Sequence, residues 1–201
     1  MEKKTWGVLG LLMLLSLILQ IHAVELWLWD RTRLEVGEWW RWSTGHWVHL
    51  GLVHLALNLT GVILLGVLFQ GVLSWQSWLL AFLLLPLWIS AGIWFLLPGL
   101  QIYAGLSGVL HGIFVLGAIR MMGLPADRLT GCALLMLAIA KMYFENIAGD
   151  AMLTRELIGA HVLVEAHQYG SVGGGLMAMG WLALSKIHRR RPVRPATKLV
   201  P

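Results

Sequence analysis

The chain has 201 residues, of which 58% are hydrophobic and only 12% are charged. A soluble domain is closer to half apolar and a quarter charged, so this composition predicts a membrane protein. The one cysteine, Cys132, excludes a disulfide framework and a thiolate zinc site, and the net charge of +5 does not indicate nucleic-acid binding because the cations gather near the C-terminus.

We predict an all-α membrane protein with a six-helix transmembrane domain at 1–188 and a basic cytoplasmic tail at 189–201, whose composition predicts disorder. The predicted spans are about 6–24, 46–69, 78–97, 105–120, 129–147 and 165–187. The first span could also be a cleaved signal peptide, since Lys3 and Lys4 precede an apolar run. That run is long for a signal core, and Ile21 fits a cleavage site poorly, which favours a retained helix.

Six spans place both termini on one side of the membrane, and the basic tail assigns that side to the cytoplasm. The cytoplasmic cations would be Lys3, Lys4, Arg120, Arg128, Lys186, Arg189, Arg190, Arg191, Arg194 and Lys198. The outer side would hold the cations Arg31, Arg33, Arg41 and Arg155 and the carboxylates Glu25, Asp30, Glu35, Glu38, Glu145, Asp150, Glu156 and Glu165.

The first outer loop, at 25–45, alternates charges with five tryptophans. These are Trp27, Trp29, Trp39, Trp40 and Trp42. Such a segment suits the headgroup layer of the membrane. It could serve only as an aromatic belt, or it could contact a substrate, and the sequence leaves both open.

Several polar residues fall inside the predicted spans, where ionisable groups are costly and therefore candidates for function. They are His46, His49, His54 and Asn58 in the second span, Ser107 and His111 in the fourth, and His167 in the sixth. Taken singly, each could be a polar group that holds the bundle together. Lys141 and Glu145 in the fifth span are interpreted as an i,i+4 pair directed outward rather than as functional groups.

The fourth span is short. From Ser107 to Arg120 there are about fourteen residues, or roughly 20 Å of helix, against about 30 Å of hydrocarbon. If Arg120 marks the cytoplasmic surface, the helix begins inside the membrane with Ser107 about 10 Å below the outer face. The preceding 97–106 must then be irregular backbone, which is tolerated at that depth only where it is buried or lines a wet cavity.

Two glycine pairs support a contact between the fourth and sixth spans. Gly108 and Gly112 follow Ser107, and Gly170 and Gly174 follow His167; both pairs are small-xxx-small patterns that let helix backbones come close. Close packing of these helices would bring Ser107 within hydrogen-bond reach of His167.

At these residues the sequence resembles the rhomboid family of intramembrane serine proteases. The resemblance covers about 40–181. It is carried by 39–58, with its His-x4-His-x3-Asn spacing, by Gly105-Leu106-Ser107-Gly108, which fits a GxSG motif, and by Ala166-His167-Gln168-Tyr169-Gly170, with Gly174 beyond. GxSG alone is a weak signal, because soluble hydrolases use similar strings.

The resemblance implies a catalytic dyad of Ser107 and His167 without a carboxylate, metal or cofactor. The sequence agrees, because the fourth span has no Asp or Glu and the sixth has none after Glu165. It also implies that His54, Asn58 and the Ser107 N–H bind the oxyanion, and that His49 supports the loop or hydrogen-bonds waters. The protein would work in the lipid bilayer on membrane-anchored protein substrates.

His111 departs from the common family pattern, where a tyrosine stands four residues after the serine. We expect the His111 ring either to orient His167 by stacking, which we favour, or to share its proton. GLSGVLHG (105–112) and the compact size resemble the rhombosortase subgroup, which implies a bacterial inner-membrane enzyme that cleaves secreted proteins near a C-terminal Gly-Gly, apolar helix and basic tail.

Two other functions are weighed against this interpretation. A catalytically inactive relative could act as a membrane chaperone or binding protein, but the presence of both Ser107 and His167 argues against it. A metal or haem site could be built from His46, His49, His54, His111, His161 and His167. The sequence has no HExxH motif and no carboxylate accompanying this cluster in the helices, which disfavours that site.

Overall fold

A computed structural model of the protein describes residues 2–148 and 152–189, and these form nine α-helices. The helices are α1 (Glu2–Ile21), α2 (Arg31–Glu35), α3 (Arg41–Thr44), α4 (Leu52–Leu68), α5 (Trp75–Leu96), α6 (Ser107–Met122), α7 (Arg128–Ala148), α8 (Met152–Ile158) and α9 (Val164–Arg189). A 3-10 helix covers Val24–Leu26, and two short strands, β1 (Trp29–Asp30) and β2 (Ile102–Tyr103), pair antiparallel. The predicted disordered tail lies outside the described residues, apart from Arg189.

The six predicted spans correspond to α1, α4, α5, α6, α7 and α9. Three of these helices, α1, α5 and α7, are long and apolar enough to cross a membrane, while α4 and α6 are shorter apolar helices. Large apolar side chains such as Leu64, Leu83 and Phe144 point away from the bundle and are more than half exposed. An outer surface this apolar is suited to lipid contact rather than to water.

Helix α6 lies at the centre of the bundle, with α4, α5, α7 and α9 packed around it. Val109, Ile113 and Leu116 on α6 are almost completely buried. A helix that is apolar on every side is stable only where neighbours enclose it. The residues at the start of α6 are therefore held between four other helices.

The second helix begins later than the sequence predicts. We expected a span over 46–69, but α4 begins at Leu52, so His46 and His49 lie in the loop before it. The backbone N–H of His49 donates to the side chain of Gln20 on α1, at 2.8 Å, and the His49 carbonyl accepts from the same side chain at 3.0 Å. These bonds satisfy the backbone of a buried loop without a helix.

The first outer loop is folded into the bundle rather than spread over the membrane surface. Trp29 is completely buried and Trp42 is half-buried, whereas Trp39 and Trp40 are largely exposed. The aromatic-belt interpretation is therefore wrong for Trp29, which belongs to the core. It remains applicable to the two exposed indoles.

Arg31 fixes this loop to the end of α5. Its guanidinium donates to four backbone carbonyls, at 3.0–3.2 Å, and contacts the faces of two indoles. The carbonyls belong to Ile93, Trp94, Leu97 and Leu100, and the indoles to Trp29 and Trp94. The carbonyls at a helix end lack intrahelical partners, so a buried cation there is well satisfied. This contact, with the β1–β2 pair, holds the segment that leads into α6.

Candidate active site

Ser107 is the first residue of α6 and is half-buried. The chain approaches it through Gly105, whose φ of +126° is a conformation that favours glycine. The Tyr103 hydroxyl donates to the Gly105 carbonyl at 2.8 Å and holds this turn. The Oγ atom of Ser107 lies 2.9 Å from Nε2 of His167 on α9. A hydroxyl beside an imidazole nitrogen that can take its proton has the geometry of a nucleophile and base.

The glycine pairs bring α6 and α9 into backbone contact. A Cβ atom on Gly108 would lie 2.7 Å from the carbonyl oxygen of Ala166, and one on Gly112 would lie 2.6 Å from that of Gly170. A Cβ on Gly170 or Gly174 would overlap the carbonyl oxygens of Gly108 and Gly112, respectively. The close approach expected from the sequence is therefore present, and it requires all four glycines.

The ring of His111 lies directly against the ring of His167. Their centroids are 4.0 Å apart and their planes differ by 11°, which is a stacked arrangement. The Nδ1 atom of His111 is 2.8 Å from the Ser107 carbonyl oxygen. Because a carbonyl can only accept, Nδ1 carries the hydrogen. The two rings thus touch through their faces and do not exchange a hydrogen bond.

Glu145 corrects two of the sequence predictions. We expected it to point outward with Lys141, but its side chain is only 8% exposed and turns toward α9. Its Oε2 atom lies 3.1 Å from Nδ1 of His167, while its Oε1 atom accepts from the ammonium group of Lys141. The expectation of a serine–histidine pair without a neighbouring carboxylate is therefore wrong for this structure.

Helix α4 contributes His54 and Asn58 from the opposite side. Both side chains are buried and line the same cavity as Ser107. The His54 ring packs against Gly105, where a Cβ would lie 2.7 Å from its Cε1 atom. The amide of Asn58 donates one hydrogen to the His54 carbonyl at 3.1 Å and has a second to offer.

His46 and His49 lie in the buried loop before α4. His46 bonds through Nε2 to the hydroxyl of Ser90 on α5 at 3.0 Å and does not line the cavity. His49 stands edge-on to His54, with centroids 4.9 Å apart, and neither of its ring nitrogens has a partner among the described residues. Burial, together with the neighbouring His54, lowers the pKa of His49 to about 3, so the ring is neutral at physiological pH.

One cavity of about 850 Å³ is lined by His54, Asn58, Ser107, His111, Glu145 and His167, and not by His46 or His49. Its walls come from α4, the β2 segment, α6, α7, the loop after α8 and the start of α9. Ser107, Glu145 and His167 line it together with apolar residues such as Leu57 and Ile102. A cavity of mixed character and this size can admit several residues of an extended peptide.

The geometry also bears on a metal site. Within residues 2–148 and 152–189, His111, Glu145 and His167 place one ligand atom each within 4.8 Å of one another. The imidazole lone pairs lie in the ring planes, and in stacked rings they run nearly parallel instead of converging on one ion. Both nitrogens of His167 are also bonded already, to Ser107 and Glu145. The arrangement suits proton transfer better than metal binding.

The apolar helices indicate a multi-pass membrane protein, and several of its buried polar residues meet at this cavity. The model of the Rhomboid domain family matches residues 36–186. The chain is also 26% identical over 176 residues to "Putative rhomboid protease YdcA" of Bacillus subtilis (strain 168), an alignment that covers 86% of this chain and 83% of the relative. The chain therefore belongs to the rhomboid family, whose members are intramembrane proteases that act on membrane-protein substrates.

Proposed function

We propose that the protein is an intramembrane serine endopeptidase with Ser107 as its nucleophile and His167 as its general base. The observation that carries the proposal is the 2.9 Å contact between Ser107 Oγ and His167 Nε2 inside a cavity. The backbone contact of α6 with α9 holds the two side chains at this distance. The presence of both groups disfavours an inactive relative that only binds its partners.

In the proposed reaction His167 takes the hydroxyl proton as Ser107 Oγ attacks the scissile carbonyl carbon. The tetrahedral intermediate collapses, and the amine leaves with the proton that His167 returns. The acyl-enzyme is then cleaved by a water molecule, which gives a proton to His167 as it attacks. Ser107 regains its hydrogen when the acid product departs, so the enzyme ends as it began.

His54, Asn58 and the backbone N–H of Ser107 are proposed to stabilise the oxyanion. The first amides of α6 have no intrahelical acceptor, and the positive end of the helix dipole lies there. The Asn58 amide and the His54 ring line the cavity from α4. Donors fixed in a site that excludes water stabilise developing charge strongly.

We place α1, α4, α5, α6, α7 and α9 across a bacterial inner membrane, with both termini in the cytoplasm. The excess of cations near the termini and of carboxylates in the loops supports this orientation. With Arg120 at the cytoplasmic surface, Ser107 would lie about 10 Å below the outer surface, because the helix from Ser107 to Arg120 is roughly 20 Å long against about 30 Å of hydrocarbon. The cavity would open to the periplasmic side.

The proposed substrates are membrane-tethered secreted proteins that end in a Gly-Gly pair, an apolar helix and a basic tail. The resemblance of 105–112 to the rhombosortase subgroup supports this assignment, as does His111 in the stacked position below His167. A flexible glycine pair ahead of a membrane anchor would present extended backbone to the cavity with little steric hindrance.

Substituting Ser107→Ala or His167→Ala is expected to abolish proteolysis, because each removes a group that forms or breaks a bond. Cleavage of a fluorogenic or tagged membrane substrate by purified protein measures the effect. Ser171→Ala is the matched control, since this buried hydroxyl on α9 has no hydrogen-bond partner among the described residues. Cleavage by Ser107→Ala at more than about one hundredth of the wild-type rate would contradict the serine mechanism.

The substrate class is tested separately by co-expression. A secreted protein with the Gly-Gly, apolar-helix and basic-tail signal should be shortened by the wild type and not by Ser107→Ala. The same protein with Val-Val in place of Gly-Gly should remain full length. If a general rhomboid substrate is cleaved and the Gly-Gly protein is not, the rhombosortase assignment is wrong, but the proposed protease activity is retained.

A further inference from the structure

We propose that Glu145 is the positioning residue of His167, which converts the serine–histidine pair into a serine–histidine–glutamate triad, with Lys141 holding the glutamate in place. The inference rests on the proposed function and deepens it. It assigns a role in the site to α7, a helix that contributes neither the nucleophile nor the base. In chain order the triad runs Ser107, Glu145, His167.

The tautomer of His167 depends on Glu145. For Nε2 to accept the Ser107 proton, the neutral ring must carry its own hydrogen on Nδ1. Nδ1 lies 3.1 Å from Oε2 of Glu145, and a carboxylate can only accept. The glutamate therefore selects the one tautomer in which Nε2, 2.9 Å from the hydroxyl, can act as a base.

The orientation of the His167 ring depends on two contacts. The His111 ring restrains His167 only perpendicular to the ring plane, because stacked faces can still slide and rotate in that plane. The hydrogen bond from Nδ1 to Glu145 lies in the ring plane and stops that rotation. The two contacts are complementary, and together they leave the imidazole one orientation, with Nε2 toward Ser107.

The charge of His167 changes during the proposed reaction. His167 becomes an imidazolium when it takes the proton, and a buried cation needs a negative neighbour. Glu145 is 8% exposed and supplies that charge from the opposite end of the ring. Lys141, whose side chain is 47% exposed, binds the other carboxylate oxygen and holds the glutamate beside His167.

The placement of the pair distinguishes this role from an ordinary surface ion pair. An i,i+4 pair of lysine and glutamate usually projects into solvent and contributes little. Here only the lysine is exposed, and the buried Glu145 carboxylate points toward α9, where it contacts the His167 ring. The buried direction of Glu145 is explained by His167 and not by Lys141.

The experiment compares Glu145→Gln, Glu145→Asp and Glu145→Ala in the full-length protein in detergent or liposomes. The readouts are kcat and KM for a peptide substrate and the rate at which a fluorophosphonate labels Ser107. Labelling reports activation of the nucleophile without requiring the peptide to bind. Glu156→Gln, an exposed carboxylate on α8, removes the same charge away from His167 and is the control. Melting temperature is recorded for every variant.

We expect Glu145→Gln to lower kcat and the labelling rate by about a hundredfold with KM nearly unchanged. Neutralising the carboxylate of a complete triad costs about 10⁴-fold, and the loss here is smaller because Lys141 already offsets part of the charge. Glu145→Asp should recover part of the rate, since it restores the charge but falls one methylene short. Glu145→Ala should resemble Glu145→Gln, and Glu156→Gln should match the wild type.

Two results would overturn the inference. One is a kcat for Glu145→Gln within about threefold of the wild type. The other is an equal loss in all three Glu145 variants accompanied by a lower melting temperature, which would mean that the carboxylate only stabilises the bundle. Neither result contradicts the proposed proteolytic activity, which is tested by Ser107→Ala in the same assay.

Discussion

The two sides of the cavity are built by different contacts. On the side of α9, the two helix backbones touch. The carbonyls of Gly108 and Gly112 occupy the space that a Cβ atom at positions 170 and 174 would fill. On the side of α4, the helix meets α6 through a side chain, with Leu110 packed against Gly61. The backbone contact closely fixes the distance between α6 and α9. The distance between α6 and α4 depends instead on how the flexible side chain of Leu110 packs.

The polar groups on the two sides of the cavity also differ in how many of their ring nitrogens are hydrogen-bonded. His167 is bonded at both ring nitrogens, to Ser107 and to Glu145, and it is stacked on His111. Across the cavity, Nδ1 of His54 has no partner among the described residues, and neither has either ring nitrogen of His49, which lies behind His54. On the α9 side, both ring nitrogens of His167 are bonded before a substrate binds. On the α4 side, ring nitrogens remain without partners, which suits groups that bind charge only as it develops in the transition state.

The largest effect should come from breaking the backbone contact. Gly170→Leu and Gly174→Leu are each expected to lower proteolysis more than about a thousandfold, because a misplacement of about 1 Å already costs about a hundredfold. Each side chain would force α9 away from α6 and separate Ser107 from His167. Substrate cleavage and fluorophosphonate labelling should both be lost.

Gly180→Leu is the matched control on the same helix, since nothing lies within 4 Å of a Cβ at that position. It should keep wild-type activity. Wild-type activity in Gly170→Leu and Gly174→Leu would show that the backbone contact does not set the distance between the two side chains.

A smaller effect is expected on the α4 side. Asn58→Ala should lower kcat by about a hundredfold with little change in KM, as for the loss of one oxyanion donor. His54→Ala should act similarly, and neither variant should change the labelling rate as much as a change at His167. Thr60→Ala, on the exposed side of α4, is the control. A change in KM alone would assign both residues to packing or substrate binding.

The smallest of these effects concerns the stacked ring. His111→Phe and His111→Tyr preserve a flat ring against His167 and should retain most activity with an unchanged pH–rate profile. His111→Ala removes the stack, which for an aromatic pair contributes about 0.5–1.5 kcal/mol, and should lower kcat about tenfold. If the two aromatic variants are as slow as alanine, His111 takes part in proton transfer rather than in orientation.

The contact between α6 and α9 could be predicted from the sequence because it depends on residue type. Glycine is the residue that permits such an approach, and two pairs with the same spacing stand beside Ser107 and His167. The helix ranges were predicted well for α5, α6, α7 and α9, since long apolar runs in a membrane protein leave few alternatives.

The start of α4 could not be predicted, because it depends on contacts distant in sequence. His46 and His49 continue the apolar pattern of the helix, and only the bonds to Ser90 and Gln20 show that they lie in a loop. Hydropathy does not distinguish a buried loop from a helix when both are apolar.

Glu145 was missed for a different reason. The spacing from Lys141 matched a familiar surface pair, and that interpretation ignored the rest of the helix. Gly131, Ala138 and Glu145 recur every seven residues, and all three are buried, so they share the face that packs inward. A carboxylate that continues a row of small residues in a membrane helix is a better candidate for function than for solvent exposure.

The position of His167 on α9, two helices after α7, also governs when the protein becomes active during its synthesis. The nucleophile precedes its base by 60 residues, so a chain that has inserted α1 to α7 carries the serine without the histidine. The imidazole reaches Ser107 only after α9 has entered the membrane and its glycines have settled against α6. Under the proposed mechanism a nascent chain is inactive, and neighbouring proteins at the site of insertion are protected until α9 has been inserted.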